Sequence, residues 1–274
     1  MIAFAASGIV PASAQLPSLD KQPWFGYFAA FSNAKFRFGV TADGKIMLTP
    51  LVSRDKAVGH KMELSIDIAI EEVAADGKII TKKIIPESLA SAQPATDKLQ
   101  KTTITGKVTG DASFEVTIEQ QRDVISIGGR LLDPGTLNKN PLRFAIHCDF
   151  PDPYYSAKKY SKEKNEAKAA KAFEKTIDND LIELTLTDKK RKKLKMDEKI
   201  GTSNPEIDGP GIAEAEVEIS TYKGRKFILS SSPETPMKLW NPQPRALHQG
   251  FSFVWTPDPA KDKEGKARMS IEVK

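Results

Sequence analysis

Apolar and polar residues alternate with a two-residue period over many short stretches of this chain, and turn-forming pairs separate the stretches. Phe36, Phe38 and Val40 alternate with Arg37 and Gly39, as on a half-buried strand. Asp43-Gly44 follows, a pair that tolerates the positive φ of a tight turn, and Ile46 begins the next apolar run. The same order recurs where Leu64, Ile66, Ile68 and Ile70 alternate with Ser65, Asp67 and Ala69, with Asp76-Gly77 as the turn and a return strand expected over 79–85. It recurs once more where Ala215, Val217 and Ile219 alternate with Glu216 and Glu218, and Lys223-Gly224 leads into 226–229. Three β-hairpins of one design are therefore expected. Their irregular spacing excludes the fixed period of a solenoid or propeller.

Between the second and third hairpins, further strands are expected over 102–108, 113–119, 124–131 and 142–150, the last ended by Pro151 and Pro153, which cannot donate to a ladder. One stretch breaks the pattern: 161–177 is rich in Ala, Lys and Glu, the strong helix formers, with only a weak apolar stripe at Ala170, Phe173 and Ile177. A helix on the sheet surface is expected there. Residues 180–187 resume the strand alternation, and the basic run after Asp188 suits a charged hairpin tip and its return. The fold class is mainly β, an antiparallel β-sandwich or large bent antiparallel sheet with one surface helix insertion.

A length of 274 residues with 39% apolar residues can bury a real core, so one domain over 15–274 is expected, with a basic helical and hairpin insertion at about 156–199. The single cysteine, Cys148, cannot form an internal disulfide and reads as a buried thiol packing as a small hydrophobe. Residues 1–14 are short and apolar and end in the small-x-small triplet Ala12-Ser13-Ala14, the end of a signal peptide cleaved before Gln15. The basic stretch that normally precedes such a run is missing, which suggests a start upstream of Met1 or a misplaced start. A periplasmic or secreted location follows from this expectation. No apolar run elsewhere has the ~18 residues needed to span a bilayer as a helix.

The net charge of +5 changes the picture only when it is located. Lys158 to Lys199 hold 14 basic and 9 acidic residues, and the rest of the chain balances at 27 against 27. The basic character is local, so nucleic acid is not the expected partner; the run Lys189, Lys190, Arg191, Lys192 and Lys193 is a candidate contact for polyanions or a solvated tip, and it lacks the interleaved aromatics that stack on bases.

The most distinctive local sequence runs from Leu239 to Trp255. Trp240, Arg245 and His248 fall in a proline-shaped loop, and Phe251, Phe253 and Trp255 share one strand face. Trp240, Arg245, His248 and Trp255 are the candidate ligand-binding residues, because an aromatic ring with Arg and His beside it can stack on a sugar and bond its hydroxyls. His147 and Asp149, two apart on an expected strand, face one way and join His248 as catalytic candidates. Glu214, Glu216 and Glu218 read as a solvated strand face. The sequence holds no His-x-x-x-His or paired Cys-x-x-Cys spacing, no Gly-x-Ser-x-Gly elbow, no Walker loop and no dinucleotide fingerprint, so no metal and no cofactor are expected. The functional expectation is an exported, non-catalytic β-sandwich that binds cell-envelope or extracellular material, with carbohydrate the favoured class. A polysaccharide-cleaving enzyme and a structural or assembly protein of the envelope are the alternatives.

Overall fold

The computed structural model describes residues 26–54, 56–59, 61–154, 174–201, 204–241 and 244–274. Among the described residues, eighteen strands join into one sheet, and every strand pairing in it is antiparallel, as expected of a chain that advances by hairpins. One half runs outward from Leu64–Val73, which pairs with Ile46–Ser53 on one side and Leu142–Phe150 on the other. Leu142–Phe150 then pairs with Phe251–Trp255, and that strand with Met237–Trp240. A single pairing, Ile212 to Met237, carries the sheet on to Ile212–Glu218. From there the other half follows through Lys226–Ser231, Met269–Val273, Val124–Asp133 and Ser113–Gln121 to Lys101–Val108. The edge strand Tyr27–Ser32 bonds back to the segment leading into Lys101–Val108: Ala30 N donates to Thr96 O at 2.7 Å and Leu99 N to Ala30 O at 3.0 Å. The curved sheet nearly closes on itself, which leaves few free edges.

The apolar phase of each strand faces the inside of this curve. Phe144, Ile146, Cys148 and Phe150 of one strand meet Leu64, Ile66 and Ile70 of the next, all fully or nearly fully buried in one cluster. Phe150 stacks on Phe251 with ring centroids 4.8 Å apart and meets Phe227 and Phe253 edge-on. Cys148 lies within this core, and burial pushes its thiol well above the ordinary value.

All three expected hairpins form, with Gly44 at φ +85° and Gly77 at φ +80° making the turns that a side chain would strain. The second differs in its return. Only Ile79–Thr81 pairs with Leu64–Val73; at Lys82 and Lys83 the chain changes partner, and Ile84–Ser91 pairs with Lys101–Val108 instead. The switch is held by Lys82 N bonding Ile70 O and by reciprocal bonds between Lys83 and Thr109. The expected surface helix lies mostly outside the described residues; the part described is helical over 174–179. Among the described residues, no helix is long and apolar enough to cross a membrane.

Candidate functional site

The opposite phase of four neighbouring strands builds a face of the sheet where polar and aromatic groups gather. Ser65, Asp67, Ala69 and Glu71 come from Leu64–Val73, and Arg143, Ala145, His147 and Asp149 from Leu142–Phe150. Ser252 and Val254 come from Phe251–Trp255, and Lys238 and Trp240 from Met237–Trp240. Strand register decides which of them meet. Arg143 lies opposite Glu71, His147 opposite Asp67 and Val254, Asp149 opposite Ser65 and Ser252, and Trp240 opposite Ser252.

Small residues at the centre make room for the indole. Ala69, Ala145 and Val254 form a buried apolar patch, and half-buried Trp240 packs on it. His147 meets the indole edge-on, with ring centroids 5.6 Å apart and an 87° angle between planes. The histidine is in turn held from below. Its Nε2–H donates to the Glu71 carboxylate at Oε1, 2.9 Å away. Arg143 Nε and Nη2 bond Glu71 Oε2 at 2.8 and 2.7 Å. Burial alone would push the Glu71 carboxyl up, but the bonds from His147 and Arg143 outweigh it and hold the group below its usual value. Asp149 goes the other way. Burial and the facing Asp67 carboxylate push it up, against the hydrogen bond it accepts from Ser252.

Two depressions open on this face. The larger, about 970 Å³, is lined by Glu71, Arg143, His147, Lys238 and Trp240 together with Ile79, Thr81, Glu234, Asp258 and Lys261. The smaller, about 500 Å³, is lined by Asp67, Asp149, His147 and Trp240 with Asp43, Lys45, Lys82 and Lys83. Three basic and three acidic side chains line each of them. Among the described residues, no group of three or more His, Cys, Asp or Glu side chains is placed to hold a metal ion.

The site residues expected from sequence are thus divided. His147, Asp149 and Trp240 come together on the groove face. Trp255 does not: it is fully buried on the core side of its strand, where its Nε1 donates to Thr235 Oγ1 at 3.1 Å. Its phase is that of Phe251 and Phe253, so the shared aromatic face is the core. Arg245 and His248 leave the groove because the chain after Trp240 turns to pair with Lys199–Ile200. Arg245 Nε donates to Asn241 Oδ1 at 3.1 Å, His248 N bonds Met196 O at 2.8 Å, and neither lines the two depressions. The basic run forms the hairpin of Leu181–Leu186 with Arg191–Lys195, turning at Lys189 with φ +68°. Lys190, Lys192 and Lys193 pair there with Asp188, Glu206 and Glu183, which offsets much of the local charge. Glu71, Arg143, Asp67 and Lys238 were not anticipated. The alternation that marked 64–70 as a strand was the available signal for Asp67, but a partner for Glu71 comes only from register.

A mainly β, curved antiparallel sheet carrying a charged, aromatic-floored groove defines the class. No protein-family model and no curated protein sequence matches the chain. Its fold is similar to that of a candidate aldose 1-epimerase from Escherichia coli K12, with a TM-score of 0.46 and 12% identity over 90% of this chain and 98% of that one. It is also similar to an alpha-N-acetylgalactosaminidase from Bifidobacterium bifidum, solved in complex with Gal-NHAc-DNJ, with a TM-score of 0.48 and 10% identity. That match covers 89% of this chain and 35% of the other, so the chain spans about a third of that enzyme's length. At such identities the likeness concerns the fold alone.

Proposed function

We propose that this protein is an exported carbohydrate-binding protein whose ligand lies in the groove over Trp240. The observation that carries the reading is the indole seated on Ala69, Ala145 and Val254 and braced by His147, with charged and hydroxyl side chains on both sides. A sugar presents an apolar C–H face and a rim of hydroxyls, and an aromatic floor with polar walls complements both. The balance of three basic and three acidic groups in each depression favours a neutral polyhydroxyl ligand over a polyanion.

Binding of neutral mono- and oligosaccharides by titration calorimetry tests this directly. Trp240→Ala is expected to weaken affinity about tenfold or more, the scale of losing one central aromatic contact. Trp255→Phe is the matched control: it removes the buried bond to Thr235, leaves a small cavity in the core and costs about 2–3 kcal/mol of stability, with affinity unchanged. If no neutral sugar binds, or if Trp240→Ala binds as the parent does, the reading fails.

Export is the second part of the proposal and rests on the triplet ending at Ala14. Expressed in a Gram-negative bacterium, the chain is expected in the periplasmic fraction with Gln15 as its first residue. A cytoplasmic chain retaining residues 1–14 would overturn that part.

A second reading, an enzyme acting on sugars through the same groove, is favoured by one observation. His147, oriented by Glu71, and Asp149, with its carboxyl pushed up, lie two residues apart on one face.

A further inference from the structure

The two depressions are neighbours: Thr81, His147 and Trp240 line both of them. The indole and imidazole therefore stand where the two depressions adjoin, with about 970 Å³ on one side and about 500 Å³ on the other. Each side alone reaches the range of ~300–1,000 Å³ typical of a complete small-ligand site. A single sugar ring would use the junction and leave most of the polar wall of both sides facing water.

The two sides present different side chains to a ligand. The larger side is lined by Ile79, an apolar side chain left 41% exposed, in the short return strand that pairs with Leu64–Val73. An exposed isoleucine beside a polar groove offers a second apolar contact for the C–H face of a ring. On the smaller side Lys83, Asp67 and Asp149 are among the lining side chains, a set of donors and acceptors for hydroxyl groups beside the apolar Ile68 and Ile84.

We infer that the ligand is an oligosaccharide of at least two sugar units lying across Trp240, with one part against Ile79 and another between Lys83 and the aspartates. The inference rests on the carbohydrate reading and narrows its ligand class from sugars in general to chains. Binding energy should then accumulate with chain length until both sides are filled, and each side should contribute independently of the other.

The test is calorimetry on the full chain with glucose, galactose, mannose and N-acetylglucosamine, and with the disaccharides and tetrasaccharides built from each. For the sugar type that binds, the tetrasaccharide is expected to bind at least about tenfold more tightly than the monosaccharide. Ile79→Ala, in the lining of the larger depression, and Lys83→Ala, in that of the smaller, should each shrink that tetrasaccharide-to-monosaccharide ratio by about threefold or more; a urea titration checks that both variants stay folded. A monosaccharide that binds as tightly as its tetrasaccharide overturns the inference and leaves the carbohydrate reading standing. So does a ratio that responds to only one of the two variants, which would make the site one-sided. If none of these sugars binds, the carbohydrate reading falls and the inference with it.

Discussion

Replacing Glu71 by Gln is expected to lower stability by about 2–3 kcal/mol at neutral pH and to weaken sugar binding more than tenfold. Three charge-assisted bonds converge on this carboxylate, two from Arg143 and one from His147, and its side chain keeps only 3% of its surface exposed. An amide cannot accept all three. The loss sits at or below the ~3–5 kcal/mol of a fully buried pair that loses one partner, because the Arg143 side chain keeps 36% of its surface in water and can be rehydrated. Binding suffers separately, because the Nε2 bond to Glu71 orients the His147 ring against Trp240.

The pH dependence identifies the mechanism. Glu71 is held below its unfolded value of 4.5, so its stabilisation is fully present above about that pH and fades as pH falls through the folded value. The stability gap between the parent and Glu71→Gln should be constant at neutral pH and close progressively below pH ~4.5. Urea titrations across that range measure it. A gap that stays constant down to acid pH would mean the ion pairs contribute nothing and the loss is one of shape alone.

How far these groups could be read from sequence depends on what holds them. The period-2 runs at 64–70 and 142–150 are local, and both form strands with Ile66, Ile68, Phe144 and Ile146 turned to the core. Within one strand the alternation also assigns faces, which is why His147 and Asp149 were expected to lie together and do. Partnership across strands is different. Arg143 and Glu71 are 72 residues apart, and only the register of two strands far apart in the chain brings them together. Closeness in sequence misled in the opposite direction. Arg245 and His248 follow Trp240 within eight residues, yet the strand ends at Trp240 and the chain leaves to pair with Lys199–Ile200. Trp255 shows that parity alone does not reveal which face is the core; the cross-strand neighbours decide that. The expected return strand over 79–85 failed at Lys82, whose ammonium is drawn to the buried Glu72 carboxylate, itself held at about 2 by Lys82 and Asn140.

Asp149→Asn is expected to do the opposite of Glu71→Gln: to raise stability at neutral pH while weakening sugar binding about tenfold. The Asp149 carboxyl is raised by burial and by the charge of Asp67 across the groove floor. The native state therefore holds its proton more tightly than the unfolded chain does. Parent stability should fall as pH rises from about 3.8 through the raised value and then level off. An amide of the same shape can still accept the Ser252 hydroxyl at its Oδ1 and carries no charge for Asp67 to repel. The stability advantage of the Asn variant should accordingly be absent at acid pH, open as pH rises through that window and persist at neutral pH. Its affinity should change in the reverse sense, because the carboxylate is a stronger acceptor for a ligand hydroxyl than an amide oxygen. In the parent, sugar affinity should drop as acid protonates Asp149, and the variant should lack that dependence. A pair of like charges kept on a groove floor at a cost in stability is what a site built for ligand rather than for folding predicts. If Asp149→Asn destabilises the protein and leaves affinity and its pH profile unchanged, the carboxylate serves the fold through Ser252, and the smaller side of the groove loses its principal acceptor.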